Sequence, residues 1–490
     1  MEKFRRCLSS GSDMLHEHIR KPMRDTLVGF RIFLLPFIKK YAIMFLISLY
    51  LRKENMKKLK LFIAAAGCIA TLSACGKGSA EITSPDGKLD KCTLRFSWWG
   101  GDDRHEATLE ALELWGKLHP DIIIAPEYGG WDGWTEKVSS QISGGTAPDI
   151  MQINYDWLVT FSPDGNGFYD LDTLGDYIDF SQFDAETLSF GRMNDKLNAV
   201  TVSVSGRGLF YNSEVYKRLG ADYPSTWDEL FALGNTMSNK GVYPLDLDIQ
   251  SGGTAWYLAV VYVQQQTGKT FIDMDGTLGF NEDDFRMALD FYKKLEDENV
   301  IRSVKTRSDE DGSSALYQSP AFISGEVAGV LEWGSSVGKY ELALPAGTLE
   351  AGQMLSDNSG KSGGWMVKPS VMYAVSKDTK YPDEAAEFLD FLLNNEECAK
   401  ILGTTRGIPA SRCAEEALEA NDLLSGLAHD NDEMLENLDT VTISPYMEMS
   451  RMKEFYNDAI EKVSYGKMDT SAAAHELYKS VSAYLEKVKK

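Results

Sequence analysis

The apolar residues of the chain change their spacing in a regular way from about residue 92 onwards. Thr93–Trp98 is a short β-prone run, and Glu106–His119 then places apolar residues three or four apart until Pro120 ends the pattern. Ile122–Ile124 begins a second run of strand type and Ile150 begins a third, with a helical pattern between them. Strands that alternate with helices at this spacing predict an α/β fold with a parallel sheet.

The later part of the chain continues this alternation and contains one place where the chain can change direction. Val200–Gly206 is β-prone, and the glycines at 206 and 208 tolerate a change of course, so we expect a crossing between two lobes here. Thr226 is a candidate helix N-cap because Glu229 follows three residues later. Helices are also predicted at 257–266, 283–298, 383–394, 452–463 and 471–488, and strands at 327–333 and 373–376.

A different pattern precedes the alternation. Residues 56–74 carry three lysines and then an apolar run, which has the length of a signal-peptide core rather than of a membrane-spanning helix. Leu72–Cys75 resembles a bacterial lipobox, which implies cleavage before Cys75 and lipidation of that cysteine. The alternative is an ordinary signal peptide with a chance cysteine. We interpret residues 1–55 as a misassigned N-terminal extension, and residues 75–90, rich in Gly, Ser and Asp, as a flexible tether.

Length and charge limit the fold and the ligands of the chain that follows residue 74. The 416 residues that follow residue 74 exceed what one hydrophobic core usually covers, and this predicts two lobes. They contain 36 basic and 68 acidic residues, a net charge of −32. Such a chain is repelled by nucleic acid and by anionic membrane surfaces, and its charge favours an uncharged ligand. The three cysteines after Cys75 have irregular spacing, so we expect no disulfide framework, no metal site and no cofactor.

Several motifs then occur in a characteristic order: LRFSWWG, YGGWDGW, ISGGTAPDI, RGLFYN and GGWMV, the last followed by YAVSKDTKYPDEAAEFLDFLL. With the lipobox, they resemble the extracellular sugar-binding proteins of bacterial ABC transporters, over about residues 91–410. The resemblance implies a two-lobe fold of the periplasmic-binding-protein type, with a ligand cleft between lobes joined by a hinge. Lobe one would comprise 91–203 and 360–408, and lobe two 204–359 and 409–490 with the C-terminal helices.

The same resemblance implies a function. The protein would capture a sugar or oligosaccharide by lobe closure and deliver it to the membrane permease, without catalysis. Its partners would be the ABC permease subunits and their ATPase, and it would act as a monomer outside the cytoplasm, anchored to the cell membrane by lipid. A secreted, lipid-anchored glycoside hydrolase is the alternative, because the many acidic residues cannot exclude a catalytic carboxylate pair. A surface adhesin lacks the expected long repeats.

Candidate binding residues lie at the predicted strand ends and at the crossing. A sugar offers hydroxyls to polar side chains and C–H groups to aromatic rings, so its site needs both kinds of residue. Trp131 stands among glycines and is favoured as a ligand contact, Asp149 follows a proline and could instead cap a turn, and Trp115 and Trp227 lie within helical patterns that favour the core. The predicted binding residues are Trp98, Trp99, Asp102, Asp103, Trp131, Asp149, Asn154, Tyr155, Arg207, Trp256, Trp333, Gly364 and Trp365.

Overall fold

The computed structural model describes residues 92–131, 133–247, 253–357, 359–360 and 363–489. The predicted extension, signal peptide, lipidated Cys75 and tether lie outside the described residues. The strands are β1 (Cys92–Trp99), β2 (Ile122–Gly129), β3 (Ile150–Ile153), β4 (Arg192–Met193), β5 (Lys196–Leu197), β6 (Val200–Asn212), β7 (Gly329–Trp333), β8 (Leu349–Gly352), β9 (Met366–Val375) and β10 (Val441–Thr442).

Each helix that the sequence predicted begins and ends within a few residues of its predicted bounds. They are α1 (Asp102–Leu118), α2 (Trp134–Ser143), α3 (Asp156–Phe161), α4 (Ala185–Ser189), α5 (Ser213–Leu219), α6 (Trp227–Met237), α7 (Thr254–Thr267), α8 (Glu282–Asp297), α9 (Val304–Asp311), α10 (Pro320–Ser324), α11 (Gly338–Ala343), α12 (Pro382–Asn394), α13 (Glu396–Leu402), α14 (Arg412–Glu419), α15 (Leu427–Glu436), α16 (Ser450–Ser464) and α17 (Thr470–Val488). None of the helices in the described ranges is both long and apolar enough to cross a membrane.

Three parallel strands confirm the predicted strand–helix–strand start. β1 pairs in parallel with β2 on one side and with β3 on the other. Helix α1 covers this sheet through Trp115, which is buried with its ring centre 5.1 Å from that of Phe388 and 5.2 Å from that of Phe391 in α12. The indole N–H of Trp115 donates to the backbone oxygen of Ile122 at 3.1 Å. Trp115 is therefore a core residue, as its place in the helical pattern predicted.

The predicted crossing lies within one long strand. Val200–Gly206 of β6 pairs with β9, whereas Arg207–Tyr211 pairs with β7, so the strand leaves one set of partners for another at Gly206. A side chain at Gly208 would have its Cβ 1.7 Å from Oδ1 of Asn431, so this glycine is required by the close approach of α15. Strand β9 runs antiparallel to β3. The sheet is therefore mixed, with parallel pairs at β1–β3 and an antiparallel pair at β3–β9, rather than wholly parallel as predicted.

The second half of the chain has its own core around α6, α7 and α8. Helix α6 begins as predicted, since Oγ1 of Thr226 accepts a hydrogen bond from the backbone N–H of Glu229. Trp227 is buried in this core and donates from its indole nitrogen to Oε1 of Gln265 at 2.7 Å. The last two helices, α16 and α17, pack against α8 and contribute buried residues to the same core.

Candidate functional site

Three tryptophans meet where the first three strands end. Trp99 ends β1, Trp131 follows β2, and Trp157 lies in the first turn of α3 after β3. The ring centre of Trp99 is 5.1 Å from that of Trp131 and 5.5 Å from that of Trp157. Trp131 is 47% exposed, whereas Trp157 is only 1% exposed. We call these three residues the aromatic shelf. In it, the exposed ring of Trp131 packs against two buried rings, at the sheet edge where ligands bind in α/β folds.

A buried carboxyl group adjoins the aromatic shelf. Asp156 is the first residue of α3, and its Oδ1 accepts a hydrogen bond from the side-chain amide of Asn154. Burial raises the pKa of Asp156 to about 6, and the charge of Glu448 adds to the rise, while the charges of Lys453 and Lys368 oppose it. Glu448 and Lys453 come from the C-terminal region, so Asp156 connects the aromatic shelf electrostatically to distant parts of the chain.

Replacing Asp156 by asparagine is expected to stabilise the protein at neutral pH. The raised pKa favours the protonated carboxyl group in the folded state, so ionisation of Asp156 destabilises the fold. This destabilisation is absent below the unfolded pKa of 3.8, grows as pH rises to about 6, and is complete above it. Asparagine keeps an oxygen for Asn154 but carries no charge, so Asp156→Asn should raise the free energy of unfolding at pH 7.5 by about 1–2 kcal/mol. Denaturant melts at pH 4 and 7.5 check this, and an equal gain at both pH values would contradict it.

Two cations lie close to one aromatic ring at the crossing. The guanidinium carbon of Arg207 is 4.6 Å from the ring centre of Trp333 and 5.5 Å from that of Tyr257. Nζ of Lys368, from β9, is 4.7 Å from the same Trp333 ring. Trp333 stands opposite Arg207 in the register of β6 and β7, which explains why these two side chains meet. Cations held on an indole face are attracted by its quadrupole.

Glu448 is the anion of this cluster. Its carboxylate pairs with Lys368 and lies 3.5 Å from Nζ of Lys453. Burial by itself would raise the pKa of Glu448, but the charges of the two lysines outweigh it and hold the pKa at about 2. We call Arg207, Trp333, Lys368, Glu448 and Lys453 the crossing cluster. At neutral pH it presents fixed charge in a largely buried setting, which suits the recognition of polar ligand groups.

Comparison with known families agrees with this geometry. A family model described as bacterial extracellular solute-binding protein matches residues 101–397. The chain belongs to this family. The match covers most of the described residues, including Trp131, Trp157 and Arg207, and Trp99 lies two residues before it.

Solved structures of similar proteins share the fold of this solute-binding protein. The periplasmic oligogalacturonide-binding protein of Yersinia enterocolitica, in complex with saturated digalacturonic acid, is 33% identical, with a TM-score of 0.77 over 81% of this chain and 100% of that chain. A periplasmic solute-binding protein from Pectobacterium atrosepticum is 32% identical, with the same coverage and TM-score. The arabinooligosaccharide-binding protein of Bacillus subtilis is 25% identical over 398 residues, 76% of this chain and 81% of that protein. The predicted two-lobe fold is confirmed.

The structure brings several predicted binding residues together. Trp99 and Trp131 belong to the aromatic shelf, Asn154 bonds to Asp156 beside it, and Arg207 and Trp333 belong to the crossing cluster. Tyr155 lies next to Asp156 but is buried, and its hydroxyl is 3.9 Å from Sδ of Met274. These residues come from β1, the loop after β2, the end of β3, β6 and β7.

Three predicted tryptophans lie deeper in the protein. Trp98 is fully buried, stacks on Tyr128 with ring centres 5.0 Å apart, and donates to His105. Trp256 is also fully buried and stacks on Tyr456 at 5.2 Å. Trp365 is fully buried and donates to the backbone oxygen of Leu355. All three are core side chains in this structure, because large aromatic rings are mostly buried wherever an element packs on another.

The remaining predicted residues have structural roles. Asp149 accepts from the backbone N–H of Arg95 and from the hydroxyl of Thr379, so it has a structural role, but it joins distant segments rather than capping its own turn. Asp102 and Asp103 are exposed in the first turn of α1 rather than in a loop, where acidic residues favour a helix N-terminus. Gly364 has φ +80°, and a Cβ there would lie 3.1 Å from Cβ of Gln264.

Sequence reasoning missed several residues of the site. Asp156 adjoins a predicted residue and Lys368 follows the GGWMV motif, so both had a signal nearby. Glu448 and Lys453 had none, because charged residues in or before an amphipathic helix read as a solvated surface. Tyr257 lies in the apolar first half of a helix, where an aromatic residue indicates the core.

Proposed function

We propose that this solute-binding protein captures an oligosaccharide between the aromatic shelf and the crossing cluster, and presents it to the permease of an ABC importer. The observation that carries the proposal is the exposed Trp131 ring supported by Trp99 and Trp157, since an aromatic platform of this kind suits the C–H face of a sugar. The Yersinia relative binds oligogalacturonides and the Bacillus relative arabinooligosaccharides, which supports an oligosaccharide rather than another solute.

Capture would require the two lobes to move about the crossing. β6 and β9 run through it, so a rotation there changes the distance between the aromatic shelf and the second lobe. A sugar that contacts both lobes favours the closed form by its differential affinity, and the closed form would dock on the permease as a monomer. The relatives named above are binding proteins, so we assign no catalytic step; the hydrolase alternative has no support from them.

The proposal is tested by screening residues 76–490 against neutral and acidic oligosaccharides. A bound sugar should raise the melting temperature, because a ligand that binds only the folded state stabilises it. With that sugar present, small-angle scattering should give a smaller radius of gyration. A confirmed sugar that leaves the radius unchanged would contradict closure. Shorter sugars appearing in the mixture would instead support the hydrolase.

We also propose that lipid on Cys75 anchors the mature protein outside the cytoplasmic membrane. The support is the lipobox-like Leu72–Cys75 at the end of a signal-peptide pattern. Cys75→Ser, expressed from Met56, should abolish labelling by a fatty-acid analogue and move the protein from the membrane to the soluble extracytoplasmic fraction. Cys92→Ser is the matched control and should leave both unchanged. If the Cys75→Ser protein stays in the membrane fraction, lipid on Cys75 is not the anchor.

A further inference from the structure

A second exposed aromatic ring lies at the end of the sheet, on the face opposite the aromatic shelf. Tyr128 is 45% exposed, and its ring stacks on the buried ring of Trp98 with the centres 5.0 Å apart and 20° between the planes. Trp98 and Trp99 are neighbours in β1, so their side chains point to opposite faces of the sheet. Tyr128 is the partner of Trp98 in the register of β1 and β2, whereas Trp131 packs on Trp99. The end of this strand pair therefore carries one exposed ring on each side.

Two glycines separate the exposed rings along the chain. Gly129 and Gly130 connect Tyr128 to Trp131, so the Cα atoms of the two aromatic residues are at most about 11 Å apart. Gly130 is exposed, and a Cβ built on it would meet no atom of the described residues within 4 Å. Its φ is not positive, so its backbone conformation does not require glycine. The effect of Gly130 is instead to leave bare backbone between the two rings, over which a sugar chain can pass without a steric clash.

A polar side chain lies beside the Tyr128 ring. Nδ1 of His105 accepts a hydrogen bond from the indole N–H of Trp98 at 3.1 Å, and the ring centre of His105 is 4.7 Å from that of Tyr128. Burial lowers the pKa of His105, so its ring is neutral at pH 7. Because Nδ1 is the acceptor in the bond with Trp98, the hydrogen of the neutral ring lies on Nε2. An aromatic face with an N–H donor next to it matches the C–H groups and hydroxyls of a sugar.

We propose that the captured oligosaccharide continues from the ring of Trp131 across Gly130 and covers the ring of Tyr128, so that the protein prefers chains longer than a disaccharide. This inference rests on the proposed function and adds a second sugar-binding surface to the same site. A sugar residue on Tyr128 removes exposed aromatic surface from water, which gives the longer chain additional affinity. The alternative is that Tyr128 only covers Trp98, in which case affinity would not depend on chain length.

Calorimetric titration with sugars of increasing length tests the proposal. The probes are arabino-oligosaccharides and oligogalacturonides, each from the disaccharide to the hexasaccharide. In the series that binds, we expect the hexasaccharide to bind about 5- to 30-fold more tightly than the disaccharide, the range for covering half of a large aromatic ring. Tyr128→Ala should remove most of this gain and leave the affinity for the disaccharide within about twofold of wild type. Tyr128→Phe should keep the gain, because the ring face remains.

A change at Gly130 tests the path of the sugar without altering either ring. Gly130→Leu places a side chain between Tyr128 and Trp131, so it should reduce the gain for the hexasaccharide as Tyr128→Ala does, and leave the disaccharide unaffected. Both the space around Gly130 and its φ tolerate a side chain, so the variant should fold. Gly116→Leu is the matched control, since Gly116 is an exposed glycine of α1 with equally open surroundings. It should retain the wild-type dependence on length.

The outcomes separate this inference from the proposed function. If the disaccharide and the hexasaccharide bind equally well, the second surface is excluded while oligosaccharide capture stands. If the hexasaccharide keeps its advantage in Gly130→Leu, the longer chain does not cross this glycine and the inference is wrong. If Tyr128→Ala weakens both sugars equally and lowers the free energy of unfolding, Tyr128 is only a cover for Trp98. If no member of either series binds, the proposed function fails together with the inference.

Discussion

Glu448→Gln is expected to lower the free energy of unfolding at pH 7 by about 3–5 kcal/mol, the usual cost of breaking a buried ion pair from one side. Glutamine fills the same space but leaves Lys368, a buried cation, without its counter-charge. Burial would raise the pKa of Glu448, yet Lys368 and Lys453 hold it at about 2, below its ordinary 4.5. The folded state therefore strongly favours the charged carboxylate.

The sign of this shift gives the pH dependence. A carboxyl group with a depressed pKa contributes stability that is fully present above the unfolded value of 4.5 and is lost as pH falls through about 2. Wild type should lose about 3 kcal/mol from this group across that window, whereas Glu448→Gln should not. Urea melts at pH 7, 4 and 3 measure the difference between the two proteins.

An exposed pair nearby supplies the control. Glu454 pairs with Arg451 at the surface of α16, so Glu454→Gln should change the free energy of unfolding by less than about 1 kcal/mol. A similarly small loss in Glu448→Gln at pH 7, or a loss that stays constant down to pH 3, would show that the crossing cluster is not a buried ion pair.

The sequence predicted local structure better than the site, for reasons visible in single residues. Trp115 and Trp227 repeat at helical spacing with other apolar residues, so their burial followed from the pattern alone. Arg207 was found because glycines mark the crossing on both sides of it. In each case the signal lay within a few residues of the position.

The rest of the site depends on contacts between distant segments. Glu448 and Lys368 are 80 residues apart, and nothing in either segment indicates the other. Trp256 and Trp365 show the converse error of local reasoning. Gly364 beside Trp365 suggested close approach of a ligand, and Trp256 was a candidate for the second lobe, whereas each ring packs on an aromatic neighbour in the core. Periodicity identifies which face of an element is buried, but not which element covers it.

Trp131→Ala is expected to weaken binding of the sugar found in the screen by about 1–3 kcal/mol, a five- to hundredfold loss of affinity, as burial of a large apolar group against a ligand implies. Stability should change by less than about 1 kcal/mol, because the ring is 47% exposed and loses little buried surface. Calorimetric titration and a denaturant melt of the unliganded protein give the two numbers.

Trp157 provides the matched comparison within the aromatic shelf. Its ring is nearly parallel to that of Trp131, with 15° between the planes, but it is 1% exposed. Trp157→Ala should therefore lower the free energy of unfolding by about 3–5 kcal/mol, as truncation of a core aromatic does. Because Trp157 supports Trp131 from below, affinity should fall as well, so loss of stability distinguishes the two variants. Wild-type affinity in Trp131→Ala, together with a large loss of stability, would make Trp131 a core residue and leave the aromatic shelf without a ligand.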